Sequence, residues 1–356
     1  MTGGRKKTFT EKSAPRQKED RRLKRAWQWG MGLLLLLGAS LMASVAMGAV
    51  SISMSDLPSL LLRADGVDAS QQAVVWELRL PRALLAALVG AGLASAGVAF
   101  QALFRNALAD PYVVGASSGA AFGATLALTF GFTFGLAGLG PVSLAAFLGA
   151  MITVFAALFL TEQGGQASVA SLLLAGSALA MMLSAGTAFL LLWRSQPWFQ
   201  AFNWLLGSFS GREWSHVVIG APYFIFCFGL LWLLARPLDA LTAGDEVAQS
   251  LGLSVRWIRI VMVSVATLAA AVAVALAGVI GFVGLVAPHV ARLMFGASHR
   301  TLLPMSALIG AILLVWSDIL ARTVLAPVEV PVGIITAALG GPFFLYVLKA
   351  RGGRLA

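Results

Sequence analysis

RALLAALVGAGLASAGVAFQALF, residues 82–104, decides what kind of molecule this is. Between Arg82 and Arg105 no side chain is charged. A helix rises about 1.5 Å per residue, so about 20 apolar residues cross the hydrocarbon core of a bilayer. The same stretch crowds Gly90, Gly92, Ala94, Ala96 and Gly97 together. Lipid offers no hydrophobic force between helices, so helices associate by close backbone packing, which such small residues permit. Residues 82–104 therefore read as a membrane-spanning helix packed tightly on its neighbours.

The remainder of the 356 residues follows suit: 59 % are hydrophobic, 11 % are charged and 38 are glycine, with a mean hydropathy of +0.88. Soluble domains carry about 25 % charged residues. Cutting at charges, Pro/Gly clusters and interfacial aromatics leaves ten candidate spans: 27–50, 82–104, 112–131, 141–161, 169–193, 215–235, 257–278, 280–296, 302–325 and 332–349. The eighth is short and glycine-rich, and is expected to fall short of a full crossing. The fold class expected is all-α, a polytopic membrane protein of about ten transmembrane helices. It divides into a basic tail at 1–26, expected to be disordered, and a transmembrane domain at 27–350 that contains a cytoplasmic loop at 236–257.

Charge sets the topology. The first 25 residues hold ten Lys/Arg against three acids. Next to a span, such a tail reads as cytoplasmic; a signal peptide and a nucleic-acid-binding arm are competing readings. The apolar run that follows is longer than the roughly 7–15 residues of a signal core. With both termini inside, nineteen Lys/Arg fall on the cytoplasmic side and six outside, Arg63, Arg79, Arg82, Arg194, Arg212 and Arg322. That obeys the positive-inside rule. Without the tail the ratio is nine to six.

Several chemistries find no residues here. The lysines are Lys6, Lys7, Lys12, Lys18, Lys24 and Lys349, so no phosphate-binding Gly-Lys-Ser/Thr exists and any ATP hydrolysis belongs to another chain. Cys227 is the single cysteine, in an apolar run, and reads as packing. His289, in APHVAR, has no His or Cys three or four residues away and reads as a hydrogen-bonded packing residue rather than a metal ligand. No cofactor, metal centre or catalytic group is expected, and the chain is not read as an enzyme. Asp318 and Arg322 have the i, i+4 spacing of a helical ion pair. Asp318 is the only acid inside the candidate spans, which weighs against the alternative of an ion- or proton-coupled secondary transporter, since such proteins place ionisable groups at mid-membrane. In RNALADP, 105–111, Asn106 and Asp110 are expected to bond locally and Pro111 to end a helix. Shifting the sequence by 187 residues lays Gly97 on Gly284 and Arg105 on Arg292, a match that an Ala/Gly-rich chain produces cheaply.

GDEVAQSLGLSV, 244–255, is a polar, helix-like stretch between the sixth and seventh spans. Gly244 and Gly252 bracket it, and Asp245 and Glu246 sit in the first turn, where the helix dipole favours acids. It is either a knob offered to a cytoplasmic partner or an amphipathic loop helix lying on the membrane; its acidic face argues against lipid.

Taken together, residues 78–124, GDEVAQSLGLSV, GVIGFVGLVAPHVARLMFG at 278–296 and SDILARTVLAPVEVPVGIITAALGGPFFLYVL at 317–348 resemble the permease subunits of iron-siderophore, haem and cobalamin importers, the FecCD-type or type II ABC importers. The resemblance implies a ten-helix subunit in the prokaryotic plasma (inner) membrane that pairs with a second copy as a homodimer, with cytoplasmic ATPase subunits on one side and an extracytoplasmic substrate-binding protein on the other. It implies no nucleic-acid partner. It makes Gly244, Asp245, Glu246, Ala248, Gln249, Leu251 and Gly252 the helix that couples to the ATPase, and Arg79, Arg82 and Arg322 the receptors for acidic residues of the binding protein. It also places an inner gate at Ser168, Val169, Ala170 and Ser171. Here Val169-Ala170 stands where some relatives have Thr-Ser, so a small apolar constriction is expected rather than a hydroxyl-lined one.

Overall fold

The computed structural model describes residues 13–48, 52–53, 55–64, 68–136, 138–161, 169–193 and 198–352. Among these the regular structure is helical, with one isolated antiparallel bridge between Leu136 and Leu139. In chain order the helices are α1 (Ser13–Ala46), α2 (Leu57–Leu61), α3 (Ala69–Ala73), α4 (Leu80–Leu103), α5 (Ala116–Phe130), α6 (Pro141–Thr161), α7 (Val169–Trp193), α8 (Trp198–Leu205), α9 (Trp214–Leu233), α10 (Ala235–Ala243), α11 (Asp245–Ser250), α12 (Val255–Ala277), α13 (Val283–Phe295), α14 (His299–Thr323) and α15 (Val332–Gly352). Among the described residues seven helical stretches are long and apolar enough to cross a membrane, and α5, α13 and α15 are shorter apolar helices. These ten stand at the ten expected positions.

Two boundaries differ from expectation. Helix α1 already covers Ser13 rather than starting near residue 27, so the described part of the basic segment, 13–26, is helical. Its sequence allows this: Pro15 falls in the first turn, no glycine follows before Gly30, and Asp20 precedes Lys24 at the favourable i, i+4 spacing. Helix α4 is preceded by α3 and a π-helical turn, Val74–Arg79, so the helix runs unbroken from Ala69 to Leu103. Pro81 has no N–H to donate, and just before it the Leu80 N–H reaches back five residues to the Val75 carbonyl. The widened turn lets a proline sit at the join without breaking the helix.

Helix α4 is the axle of the bundle, with α9, α12, α13 and α14 packed around it. Glycine is what lets them approach. On α4, Gly90 faces the Gly310 backbone of α14, and Gly97 faces the Gly284 backbone of α13; at both positions a Cβ would run into a main-chain carbonyl. The two glycines that coincide under the 187-residue shift are thus contact partners. A similar crossing, Gly119 on Gly149, joins α5 to α6.

Short non-helical segments lie inside the bundle. Between α12 and α13 the chain turns through Gly278 and Phe282, both at positive φ. Lipid cannot satisfy free peptide groups, so irregular backbone survives at membrane depth only where protein supplies partners. Here the 206–208 segment does: Ser208 N–H donates to the Ala277 carbonyl at 2.8 Å, and the Leu206 and Gly207 carbonyls accept from Gly333 and Val332 at the start of α15, both at 3.0 Å. The 104–115 segment also turns back into the bundle, and Pro111 lies against Gly284. The eighth span is accordingly the 13-residue α13, short as expected.

We predict that Gly97→Val lowers the melting temperature of the detergent-solubilised protein by several degrees, because the side chain must displace main chain rather than a mobile neighbour. Gly32→Val, where a Cβ meets nothing within 4 Å, is expected to leave the melt unchanged. Differential scanning fluorimetry of both variants checks the contrast.

Candidate functional site

At one end of the bundle the last turn of α4 meets α10, α11 and the start of α12. Helix α11 is a six-residue helix between two glycines that take positive φ, Gly244 at 144° and Gly252 at 76°. Both ends close on themselves: Ala248 N–H donates to the Gly244 carbonyl at 3.0 Å, and Leu253 N–H to the Ala248 carbonyl at 3.1 Å. Ala248 is fully buried, against Ala240, Leu241 and Val255. It is therefore the residue that seats the helix, and a partner cannot touch it directly. The apolar side chains that α11 and its C-terminal turn present outward are Val247, 44 % exposed, and Leu251, 65 % exposed. Glu246, Gln249 and Gly252 are exposed as well.

The same segment is held by an ionic clasp that sequence reading did not anticipate. Asp245 lies between Arg105, immediately after α4, and Arg259 of α12, whose Nη2 donates to Oδ2 at 3.1 Å. Arg105 Nε also donates to the Leu241 carbonyl at 2.9 Å, at the end of α10. One carboxylate so ties α11 to two long helices. A second tie joins α10 to α14, where Asp239 Oδ1 accepts from the His299 backbone N–H at 3.0 Å and from Nδ1 at 2.6 Å. Burial pushes the Asp239 carboxyl up, but the hydrogen bonds from His299 outweigh it and leave the carboxyl below its ordinary value. What this bond contributes is therefore complete above the ordinary carboxylate range and lost as pH falls through the lowered value.

RNALADP splits between two environments. Arg105 and Asn106 are exposed beside α11, while Ala109 and Pro111 are buried. The local bonds expected are present: Asn106 Oδ1 accepts from Leu108 N–H at 3.0 Å and Asp110 Oδ1 from Tyr112 N–H at 2.9 Å.

At the opposite end, the C-termini of α1 and α14 meet the start of α4, and the three arginines singled out from sequence come together. Two of them serve the chain itself. Arg79 Nη1 donates to the Val45 and Ala46 carbonyls at 2.8 and 2.9 Å, and Arg322 Nη2 to the Ser44 carbonyl and hydroxyl at 2.8 Å. The last carbonyls of a helix have no intrahelical partner and carry its negative dipole end, so a guanidinium caps them well. Both residues are buried. Arg322 also pairs with Asp318 at 3.3 Å, the i, i+4 contact expected. The stronger partner of Asp318, however, is Arg82: Nε donates to both carboxylate oxygens at 3.1 Å and Nη2 to Oδ1 at 2.9 Å. No local spacing signals that pair, which is 236 residues apart in sequence. The third edge of Arg82, at Nη1, donates to both oxygens of Glu329 at 2.9 and 3.0 Å.

Of the four residues expected at an inner gate, Val169, Ala170 and Ser171 form the first turn of α7, and Ser168 lies outside the described residues. Helix α7 is mostly exposed over its whole length. Its open face runs through Leu174, Ser177, Met181, Ser184, Ala188 and Leu192, a spacing of three or four residues that makes one continuous stripe. Of the other expectations, Cys227 is buried and free, and His289 is buried with its ring edge-on to Phe343.

The sequence as a whole matches the model of the FecCD transport family over residues 34–350. The chain belongs to the FecCD transport family. It is similar to the cobalamin import system permease protein BtuC of Halobacterium salinarum, at 43 % identity over 80 % of this chain and 76 % of that one. The hemin transport system permease protein HmuU of Yersinia pestis is 38 % identical over 89 % of this chain and 93 % of its own. The Fe(3+)-citrate import system permease protein YfmE of Bacillus subtilis is 39 % identical over 86 % and 90 % respectively. Among solved structures, a metal-chelate type ABC transporter in an inward-facing conformation superposes with a TM-score of 0.81 at 32 % identity, covering 91 % of this chain and 99 % of that one. This FecCD protein is thus an all-α permease subunit of an ABC importer, and its relatives are permeases rather than enzymes. Residues 1–33, with the basic segment, stand outside the family match.

Seating and holding the 244–252 segment should be separable. We predict that Ala248→Leu destabilises the permease by about 1–3 kcal/mol, as overpacking of a filled site does. Arg105→Ala removes a pair whose partners are both nearly half exposed, and is expected to cost under about 1 kcal/mol. Thermal melts of the two variants, with Arg259→Ala as a second clasp mutant, measure the difference.

Proposed function

We propose that this FecCD permease carries a bulky metal chelate, of the ferric siderophore, ferric citrate, haem or cobalamin class, along a pathway formed between two copies of itself. The names of its relatives support the substrate class. The homodimer is supported by α7: a 25-residue helix that buries little within its own chain, yet carries Ser177 and Ser184 on its open face, suits a partner and a pathway better than it suits lipid. Val169, Ala170 and Ser171 at its start are the proposed inner constriction, lined chiefly by small and apolar groups.

ATP hydrolysis belongs to separate cytoplasmic subunits, since the sequence has no Gly-Lys-Ser/Thr with which to hold nucleotide phosphates. Their docking point is the 244–252 segment, and the observation that carries this reading is the clasp: a short helix with two exposed apolar side chains, Val247 and Leu251, is locked by Asp245 to Arg105 and Arg259. A knob that is to transmit force has to be fixed to long elements, and this one is. Glu246 and Gln249 complete the exposed surface. On this reading the α11 end faces the cytoplasm of a prokaryotic cell, both termini lie there, and the permease sits in the plasma (inner) membrane. The opposite end, with Arg82 at its surface, receives an extracytoplasmic substrate-binding protein.

The test is Leu251→Asp. A carboxylate at a side chain 65 % exposed is neutral for folding but intolerable in an apolar cleft, since it would be buried without a partner. Co-purification of the ATPase subunit is expected to be lost, and ATP-driven uptake of haemin, ferric citrate and cyanocobalamin into proteoliposomes, measured as a panel, to fall at least about tenfold for whichever is carried. Retention of both would place the ATPase contact elsewhere. Purified permease free of ATPase subunit is expected neither to bind nor to hydrolyse ATP.

A further inference from the structure

The external ion-pair cluster is built in two layers. Asp318 is the inner layer, 1 % exposed, and it takes the Nε and Nη2 edge of Arg82 together with Arg322 Nε. Glu329 is the outer layer, 38 % exposed, and takes Nη1 of Arg82, which is itself only 11 % exposed. Arg79 and Arg322 direct donors to the end of α1. Any carboxylate that approaches from outside therefore meets Arg82 at the edge Glu329 already fills. Glu329 also lies on an exposed segment, 324–329, where Val324, Leu325 and Val328 display large apolar side chains to the exterior. Just beyond it Val330 N–H is anchored to the Ala321 carbonyl at 2.8 Å, so the segment is tied behind Glu329 whether or not the ion pair holds.

We propose that Glu329 is a resident competitor: its carboxylate occupies the outward edge of Arg82 in the free permease, and an acidic side chain of the substrate-binding protein displaces it on docking, so that Glu329 sets how tightly that protein is held. The inference rests on the docking reading above. Its physical basis is an exchange of equals. One partly exposed carboxylate–guanidinium pair is replaced by another, so the net gain from the charge itself is small and the release of Glu329 is subtracted from it. Docking strength then comes from the apolar side chains beside it, and dissociation after delivery stays easy. Asp318 cannot play this part, since it is buried and shared by two arginines, and its removal would leave both without their common counter-charge. Glu329 can, because at its exposure the released carboxylate is taken up by water.

The sign of the effect is the test. Removing a negative charge from the permease is expected to strengthen its capture of the binding protein. Association and affinity of the transport system's own purified binding protein would be measured by biolayer interferometry on the permease–ATPase complex in nanodiscs, at low and high salt. Glu329→Gln is expected to raise affinity about two- to fivefold, the range of a partly exposed ion pair, with the gain shrinking at high salt. Arg82→Ala is expected to weaken capture, and Glu329→Gln added to Arg82→Ala to give no further gain. Glu77→Gln, an exposed carboxylate of the turn preceding α4, reports the general effect of one charge. If Arg82→Ala weakens capture but Glu329→Gln leaves it equal or weaker, or gains no more than Glu77→Gln, the competitor role is overturned and docking at Arg82 stands. If Arg82→Ala changes nothing, docking at this site falls and the competitor role with it.

Discussion

Backbone-to-backbone contact at glycine is the constraint on which the rest of the structure depends. Gly90 against Gly310 and Gly97 against Gly284 bring α4 to within main-chain distance of α14 and α13. In water a side chain lost at these positions would cost buried apolar area. In lipid the calculation differs, because the surrounding tails solvate Leu as well as a protein interior does, and what a helix pair gains is dispersion between closely fitted surfaces. A long axle with smooth flanks is the result. Both functional ends hang on it: Arg79 and Arg82 at its start, Arg105 just past its finish.

The charged groups at those ends are arranged so that the chain serves its own electrostatics first. Two arginines cap the carbonyls at the end of α1, a third is held by Asp318 from beneath, and Asp245 has a guanidinium on either side. Isolated charge near hydrocarbon is expensive, and a counter-charge shared between two arginines, or two arginines on one carboxylate, lowers that cost. Only the outer edge of each network is open to exchange. At one end that edge is Glu329 on Arg82, and at the other the exposed face of the segment Asp245 holds.

The spans were legible because lipid imposes one rule on every helix, an apolar run of sufficient length, and the rule shows in single-sequence hydropathy. Spans 141–161 and 169–193 could be placed because Pro141, Glu162 and Arg194 interrupt the apolar runs. The start of α4 could not: a proline beside two arginines looks like a boundary, and a wider turn carries the helix through it. The basic segment misled for a related reason, since high charge signals poor burial but does not oppose helix formation where glycine is missing. The 244–255 segment was visible as a polar island, yet which of its faces turns inward was not, because Val247 and Ala248 are adjacent apolar residues with no local pattern to tell the buried one from the exposed one. Nor did spacing show Arg82 as a partner of Asp318, or Arg105 as a partner of Asp245. Arg82 and Arg105 lie 236 and 140 residues away, and pairs that distant follow from the packing of α4, which no local pattern encodes.

Exposure separates the ten helices into two kinds. Helices α4, α12 and α14 are largely buried within the one chain, whereas α7 leaves nearly its full length uncovered. Lipid facing would explain an uncovered helix of Leu, Ile and Phe, as on the outer flank of α6, where Ile152, Phe155 and Phe159 are open. It does not explain Ser177 and Ser184 in a stripe with Ala and Met. Hydroxyls that face hydrocarbon can turn back on their own helix, as Ser177 does towards the Leu174 carbonyl, but Ser177, Ser184 and Ala188 set between Leu174, Met181 and Leu192 leave notches along the stripe that a second helix fills well. The family supplies the context in which such a surface has a use. The 244–252 segment is tied through Asp245 to Arg105, just past α4, and to Arg259 of α12, so the coupling proposed for it would act on the buried class first.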